Sequence, residues 1–238
     1  MATLATSPSA LEPGHRYERK FHLRGMAPEQ VRLLVRLNPG NFHCSYAPRF
    51  VNNVYLDGPE LPSFARHVHG ASDRFKLRIR WYGEATGEVS APILEVKIKR
   101  GVVGTKARYE LDPFRYDDRW DFELQRRAIL SRVDDRRVAE AVGRAQPALF
   151  NRYRREYYEN GDRRLRLTID TGLSFACVGN RSWGPRTRWE ERDLTILELK
   201  YAVEDEQRAS TIAAALPKRL DKVSKYVMGL ERLSGLHD

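Results

Sequence analysis

In Arg74-Phe75-Lys76-Leu77-Arg78-Ile79-Arg80-Trp81 every second side chain is a cation and every other one is apolar. Side chains alternate across a β-strand, so this stretch has one basic face and one oily face. The alternation recurs far away, in Leu94-Glu95-Val96-Lys97-Ile98-Lys99, in Leu165-Arg166-Leu167-Thr168-Ile169-Asp170 and in Thr195-Ile196-Leu197-Glu198-Leu199-Lys200-Tyr201. A single strand of this kind is an ordinary solvated surface. Several from distant parts of one chain imply a shared charged face that binds a polyanion.

The remaining elements follow from similar signals. Arg16 to Leu23 alternates, with Tyr17, Arg19, Phe21 and Leu23 opposite Arg16, Glu18, Lys20 and His22. Pro28 to Leu37 has helical spacing, opens on proline with an acid in its first turn, and stops at Asn38-Pro39-Gly40. Val51 to Leu56 reads as a strand closed by Asp57-Gly58-Pro59. Strands are predicted at 74–82, 93–99, 105–111, 149–158, 163–170 and 194–202. One or two amphipathic helices are predicted within 121–144, and a largely helical end from Gln207 to Leu236. Gly179 to Arg188 reads as a long hairpin loop. The expectation is a single α+β domain over residues 15–238, dominated by antiparallel strands, after a disordered leader spanning residues 1–14.

With 42 Lys+Arg against 32 Asp+Glu the chain carries a net charge of +10, which favours nucleic acid, anionic lipid or phosphate compounds as partners. Cys44 and Cys177 have neither zinc nor disulfide-framework spacing, read as small core residues, and suit a reduced cytosol. The first fourteen residues have no basic segment followed by an apolar one, so they do not read as a secretory signal. No apolar run approaches the roughly 18 residues of a membrane span, although a basic protein can still sit on an anionic membrane.

Strands of this type can bury their apolar faces in two ways. A sandwich turns both inward and leaves the charges outside. A closed barrel turns the charges into its lumen and covers its oily exterior with helices. Two like charges ~6 Å apart repel by roughly 3 kcal/mol at an effective dielectric of about 20. A basic lumen must therefore be wet, partly paired with carboxylates, and receptive to an anion. Periodicity alone leaves both architectures open.

The order of short motifs resembles the VTC-type polyphosphate polymerase domain of the triphosphate tunnel metalloenzyme superfamily, which also holds the CYTH phosphatases. The matching pieces are Tyr17-Glu18-Arg19-Lys20-Phe21, Val51-Asn52-Asn53-Val54-Tyr55-Leu56-Asp57, Lys76-Leu77-Arg78-Ile79-Arg80-Trp81-Tyr82 and Leu94-Glu95-Val96-Lys97. They continue with Tyr153-Arg154-Arg155, the 165–170 strand, Leu197-Glu198-Leu199-Lys200 and Lys222-Val223-Ser224-Lys225-Tyr226. The resemblance implies an antiparallel closed β-barrel of about eight strands with flanking helices, enclosing a basic tunnel.

Arg78 and Arg80 point the same way on one strand, and paired guanidinium forks suit phosphate oxygens. Lys76, Lys97, Lys99, Arg166 and Lys200 offer further contacts to a polyanion, and the resemblance adds Arg155, the arginine two places after Tyr153, although Arg154 beside it leaves the facing open. Glu198 is a carboxylate among cations, where a divalent ion can bridge it to phosphate; Glu18 and Glu95 are weaker candidates of the same kind. The resemblance implies that Glu198 helps bind Mn²⁺ or Mg²⁺, and that Lys222, Ser224 and Lys225 approach the terminal phosphates. CYTH triphosphatases carry Glu-x-Glu-x-Lys on the first strand. Here the run is Arg16-Tyr17-Glu18-Arg19-Lys20, whose missing first glutamate agrees with the polymerase branch, where this lysine contacts phosphate.

The implied activity is metal-dependent transfer of the ATP γ-phosphoryl group to a growing polyphosphate chain, with Lys20, Arg78, Arg80, Lys222 and Lys225 at the reacting end. The partners are ATP and polyphosphate, with no specific nucleic acid. The setting is cytoplasmic, with room for a membrane partner protein. The alternatives are a CYTH-type inorganic triphosphatase and a non-catalytic polyanion-binding module.

Overall fold

The computed structural model describes residues 16–71, 74–100, 103–178, 188–217 and 224–235; at 16, 74, 99, 100 and 103–105 only the backbone is described. Its frame is a nine-stranded antiparallel sheet. In chain order the strands are β1 (Arg16–Arg24), β2 (His43–Asp57), β3 (Arg74–Tyr82), β5 (Ile93–Arg100), β6 (Val103–Glu110), β8 (Gln146–Glu159), β9 (Arg166–Ala176), β10 (Arg188–Glu191) and β11 (Leu194–Ala202). Between them, β4 (Gly87–Val89) and β7 (Phe114–Tyr116) form a separate two-stranded ribbon. Across the large sheet the order is β1-β11-β9-β8-β2-β3-β5-β6, with β10 paired to β9.

Most of the alternating apolar residues bury on the side of the sheet away from the cations. Phe21, Leu23, Leu167, Leu197 and Leu199 pack with Val31 and Val35 of α1 (Pro28–Arg36) and with Ala209, Ile212 and Ala213 of α5 (Glu206–Ala214). At the other half of the sheet Leu77, Ile79, Trp81, Leu94 and Val96 pack with Phe122 and Ile129 of α3 (Phe122–Leu130) and with Val138 and Val142 of α4 (Arg136–Arg144). Helix starts follow local chemistry. Asp121 and Asp135 each accept two backbone N–H bonds at the starts of α3 and α4, and Gln30 accepts from the Ala27 N–H at 2.8 Å at the start of α1.

A third core lies on the cationic side. There α6 (Lys225–Ser234) sets Tyr226, Met228 and Leu233 against Val51, Tyr55, Leu149, Tyr153, Leu173 and Phe175. The helix therefore fills one end of the charged face. Asp57, at the end of β2, accepts the Tyr226 hydroxyl at 2.6 Å and also the backbone N–H groups of Ser63 and Phe64 in α2 (Pro62–Val68).

Several expectations change. Among the described residues β1 and β6 end the strand order and do not pair with each other, so strand pairing does not close the sheet into the expected barrel. β2 starts at His43, earlier than predicted, because its first eight residues are mostly exposed and carry no alternation, while Val51 to Asp57 are uniformly buried. The short α2, β4, β7 and β10 lack a periodic signal and were not expected. Cys44 and Cys177 are both exposed and free, not core residues; each lies near a strand end, where no second layer covers it. The predicted terminal helix is two helices, α5 and α6, and residues 218–223 between them, with Leu220, Lys222 and Val223, lie outside the described residues. So does most of the predicted 179–188 loop. No helix among the described residues is long and apolar enough to cross a membrane.

Candidate functional site

Strand register places the sequence-predicted side chains on one face. On β3 and β5, Arg78 is paired with Glu95 and Lys76 with Lys97. On β1 and β11, Lys20 is paired with Glu198 and Glu18 with Lys200. Lys200 in turn pairs with Arg166, and Glu198 with Thr168, on β9. Asp170 pairs with Arg155 on β8, which settles its facing: Arg155 points to this side, while Arg154 bonds Glu156 and Arg32 lies beside that glutamate.

The face is concave. β1 and β5 are far apart in the strand order, yet Lys97 feels the charges of Glu18, Lys20 and Glu198. Arg155 likewise senses Glu198, and Lys20 senses Tyr55. Such couplings require the sheet to curl so that its ends face one another. Lys97 keeps solvent access while burial lowers its pKa, which is the condition of a group lining a wet, protein-walled hollow.

Two buried carboxylates gather the cations. Glu95, 4% exposed, lies 2.5 Å from Arg78 Nη2, 3.4 Å from Arg80 Nη1, and 3.3 Å from both Lys106 Nζ and Arg108 Nε. Burial alone raises a carboxyl pKa; here Arg78, Arg80 and Lys106 outweigh it and hold Glu95 far below the usual range. Asp170 has no exposed surface. It accepts from Arg155 Nε at 2.6 Å and Nη2 at 2.7 Å, and from Lys225 Nζ at 2.6 Å. Burial opposes its ionisation as well, and Arg155 and Lys225 overcome it. Lys225, at the start of α6, also lies 4.6 Å from the Tyr153 ring centroid. One end of the helix that fills the hollow is thus tied to the charged network.

Glu198 lies 2.5 Å from Lys200 Nζ, and the surrounding Lys200, Lys20, Arg155 and Lys225 hold it ionised against the cost of burial. Lys20 sits 2.5 Å from Glu18. Burial pulls the Lys20 pKa down, but Glu198 and Glu18 bring it above the ordinary lysine value. Among the described residues no three His, Cys, Asp or Glu side chains come together as a metal cluster. Glu18 and Glu198 are diagonal neighbours on adjacent strands, about 7–8 Å apart by sheet geometry. That donor set fits a Mg²⁺-type ion that keeps most of its ligands from phosphate and water, and does not fit a protein-only cage.

Of the remaining expected residues, Ser224 caps α6 by accepting the Val227 N–H at 3.2 Å. Lys99 is placed by its backbone pairing with Arg74, and Lys222 lies outside the described residues. Sequence reading missed Lys106 and Arg108 on β6, both directed at Glu95, although their alternation in Lys106-Ala107-Arg108-Tyr109-Glu110 is the same signal. It also missed the Asp170 hub, whose partners are 15 and 55 residues away. Asn53, which accepts from Arg80 Nε at 3.0 Å and meets Asn151 across the strands, carried no signal.

Together these groups can bind a linear polyanion: guanidinium forks and ammonium groups converge from β1, β3, β5, β6, β8 and α6, and those of β3, β6, β8 and α6 are held in place by the buried Glu95 and Asp170. Among solved structures the fold is similar to a protein from Pyrococcus horikoshii OT3, at 12% identity and a TM-score of 0.47, covering 92% of this chain and 99% of that one. It is also similar to an adenylyl cyclase candidate from Hippeastrum with a dominant triphosphatase activity, at 17% identity and 0.48, covering 90% and 96%. An adenylate cyclase candidate from Vibrio parahaemolyticus matches at 12% and 0.49, covering 92% and 97%. No curated protein sequence matches the chain. Residues 15–234, nearly the whole sequence, match the VTC domain, and the protein belongs to that family.

Proposed function

We propose that the concave face is the phosphate-binding wall of a polyphosphate polymerase. The supporting observation is the convergence of Lys20, Arg78, Arg80, Lys97, Arg155 and Lys225 around carboxylates already committed to cations. In the reaction a terminal phosphate oxygen of the polymer forms a bond to the γ-phosphorus of ATP, the β–γ bridging P–O bond breaks, and ADP leaves with the bridging oxygen. The nucleophile is an anionic oxygen, so no strong general base is needed, and positioning plus charge neutralisation supply most of the rate.

Arg78, Arg80, Lys97, Arg155 and Arg166 hold the phosphate chain, with Lys76, Lys99 and Lys200 extending the track. Lys20, Lys222 and Lys225 orient the reacting end, and Ser224 sets the start of α6 beside it. Glu198, with Glu18 nearby, would hold a Mn²⁺ or Mg²⁺ ion, which would supply charge neutralisation to the phosphates. The curled sheet then acts as a tunnel around the polymer.

Incubation with ATP and Mn²⁺ yields acid-labile polymer, and Arg78→Ala abolishes it, since that guanidinium is the shortest link in the Glu95 cluster and faces the hollow. Tripolyphosphate is run in parallel. Phosphate release from it without chain growth marks the triphosphatase instead. Salt-sensitive polyanion binding that survives Glu198→Ala, with no turnover across several divalent metals, marks a binding module. Either result overturns the proposal.

A further inference from the structure

Beyond the cationic wall, at the end of the concave face away from α6, three side chains from three strands form a stack. The Arg49 guanidinium lies 4.1 Å from the Tyr82 ring centroid and 5.0 Å from that of Tyr157, and its Nε donates to the Tyr157 hydroxyl at 3.2 Å. Tyr46 meets Tyr157 edge-on at 5.9 Å. Tyr46 and Tyr82 keep 63% and 40% of their surface exposed. With Arg49 over one face of its ring, Tyr82 still forgoes much of the burial that ordinarily stabilises an aromatic side chain, and the stacked guanidinium holds it in one orientation.

The position relative to the phosphate contacts is informative. Tyr82 is two residues along β3 from Arg80, and Tyr157 two residues along β8 from Arg155; Arg49 pairs with Arg155 across β2 and β8. Two residues along a strand span about 7 Å. A flat ring outside and an anionic tail reaching about 7 Å inward is the outline of a nucleoside triphosphate, not of an inorganic polyphosphate.

We infer that Tyr82, braced by Arg49, forms a nucleobase subsite that seats the base of ATP while its phosphates enter the cationic wall. The inference rests on the polymerase reading for the identity of the donor. A ring stacked on tyrosine is read by its π-face and not by hydrogen bonds, so the subsite discriminates weakly among bases and favours the larger purines.

The test is equilibrium binding of an ATP analogue with an imido β–γ bridge and, separately, of tripolyphosphate. Tyr82→Ala weakens the analogue about tenfold, the order expected from losing one base–aromatic stack, and leaves tripolyphosphate unchanged. Tyr82→Phe keeps wild-type affinity. Equal weakening of both ligands, or no weakening of the analogue in the Tyr82→Ala variant, overturns the subsite. The polymerase reading is judged separately by polymer formation: a protein that makes polymer yet shows no selective loss refutes the subsite alone, and one that shows the selective loss yet makes no polymer refutes the polymerase alone.

Discussion

Asp170 carries one negative charge and satisfies two cations with it, the Arg155 fork and the Lys225 ammonium, with no water-accessible surface of its own. Removing one partner from such a set leaves buried charge uncompensated, which typically costs about 3–5 kcal/mol. Asp170→Asn keeps the shape but removes the charge, so urea unfolding at pH 7 should show a loss of that order. The sign with pH follows from the lowered carboxyl pKa. The stabilisation is fully present above the unfolded-chain value of about 3.9 and is lost as pH falls through the folded value. The acid side of the wild-type stability curve should therefore be steeper than that of the variant. Tripolyphosphate should raise the variant's melting temperature more than the wild type's, because its oxygens can pair with the two abandoned cations. Equal shifts would show that Arg155 and Lys225 are not open to the hollow.

At the level of elements, α6 depends on Gly229. A Cβ there would lie 2.5 Å from Phe175 Cδ1 and 2.6 Å from Leu149 Cδ2, closer than real side chains approach. Glycine ordinarily weakens a helix by about 1 kcal/mol relative to alanine, but overpacking a tight core costs about 1–3 kcal/mol, so the clash wins. Gly229→Ala should destabilise the protein, whereas Gly143→Ala in α4, where a Cβ meets nothing within 4 Å, should be neutral or stabilising. Urea midpoints of the two variants moving in the same direction would contradict the close seating of α6. The same helix shows where the sequence was legible. Strands such as Arg74–Tyr82 and the Leu197–Tyr201 part of β11 announce themselves through alternation, because one face carries charge and the other is apolar. The helix α2 has no buried residue and β10 spans four residues, so neither has a periodic pattern to read. Arg78, Arg80, Lys97 and Glu198 were legible because alternation plus charge fixes their face. Asp170 as a hub was not, since its partners meet only once β8, β9 and α6 are assembled. Cys44 was misjudged because a cysteine suggests burial, while the first half of β2 pairs with β8 and leaves it exposed.

For the molecule as a whole, the excess of positive charge is concentrated where it repels itself, and two lysines register the strain. Lys97 has its pKa lowered, by burial first and then by Lys20 and Arg78. Lys106 is pushed down to about 8, again by burial first, with Glu95 opposing and Arg108, Arg78 and Arg80 adding to the effect. A lysine with a pKa near 8 is charged below that pH and neutral above it, so the hollow loses attraction for phosphate as pH rises from 7 to 9. An entering anion favours the charged form, and binding near pH 8 should take up protons from the buffer. Tripolyphosphate itself gains negative charge over the same range, which makes wild-type binding alone ambiguous. Lys106→Arg removes the ambiguity, because a guanidinium stays protonated throughout while the ligand titrates identically in both proteins. Dissociation constants for the two should agree at pH 7 and diverge as pH passes through about 8, the wild type becoming weaker. For one half-exposed charge worth about 1 kcal/mol the divergence should reach about fivefold. Calorimetry in buffers of differing ionisation enthalpy should register the proton uptake in the wild type and a smaller one in the variant. Parallel curves with equal proton uptake would mean that Lys106, though it touches Glu95, takes no part in holding the anion, and that the cationic wall ends at β5.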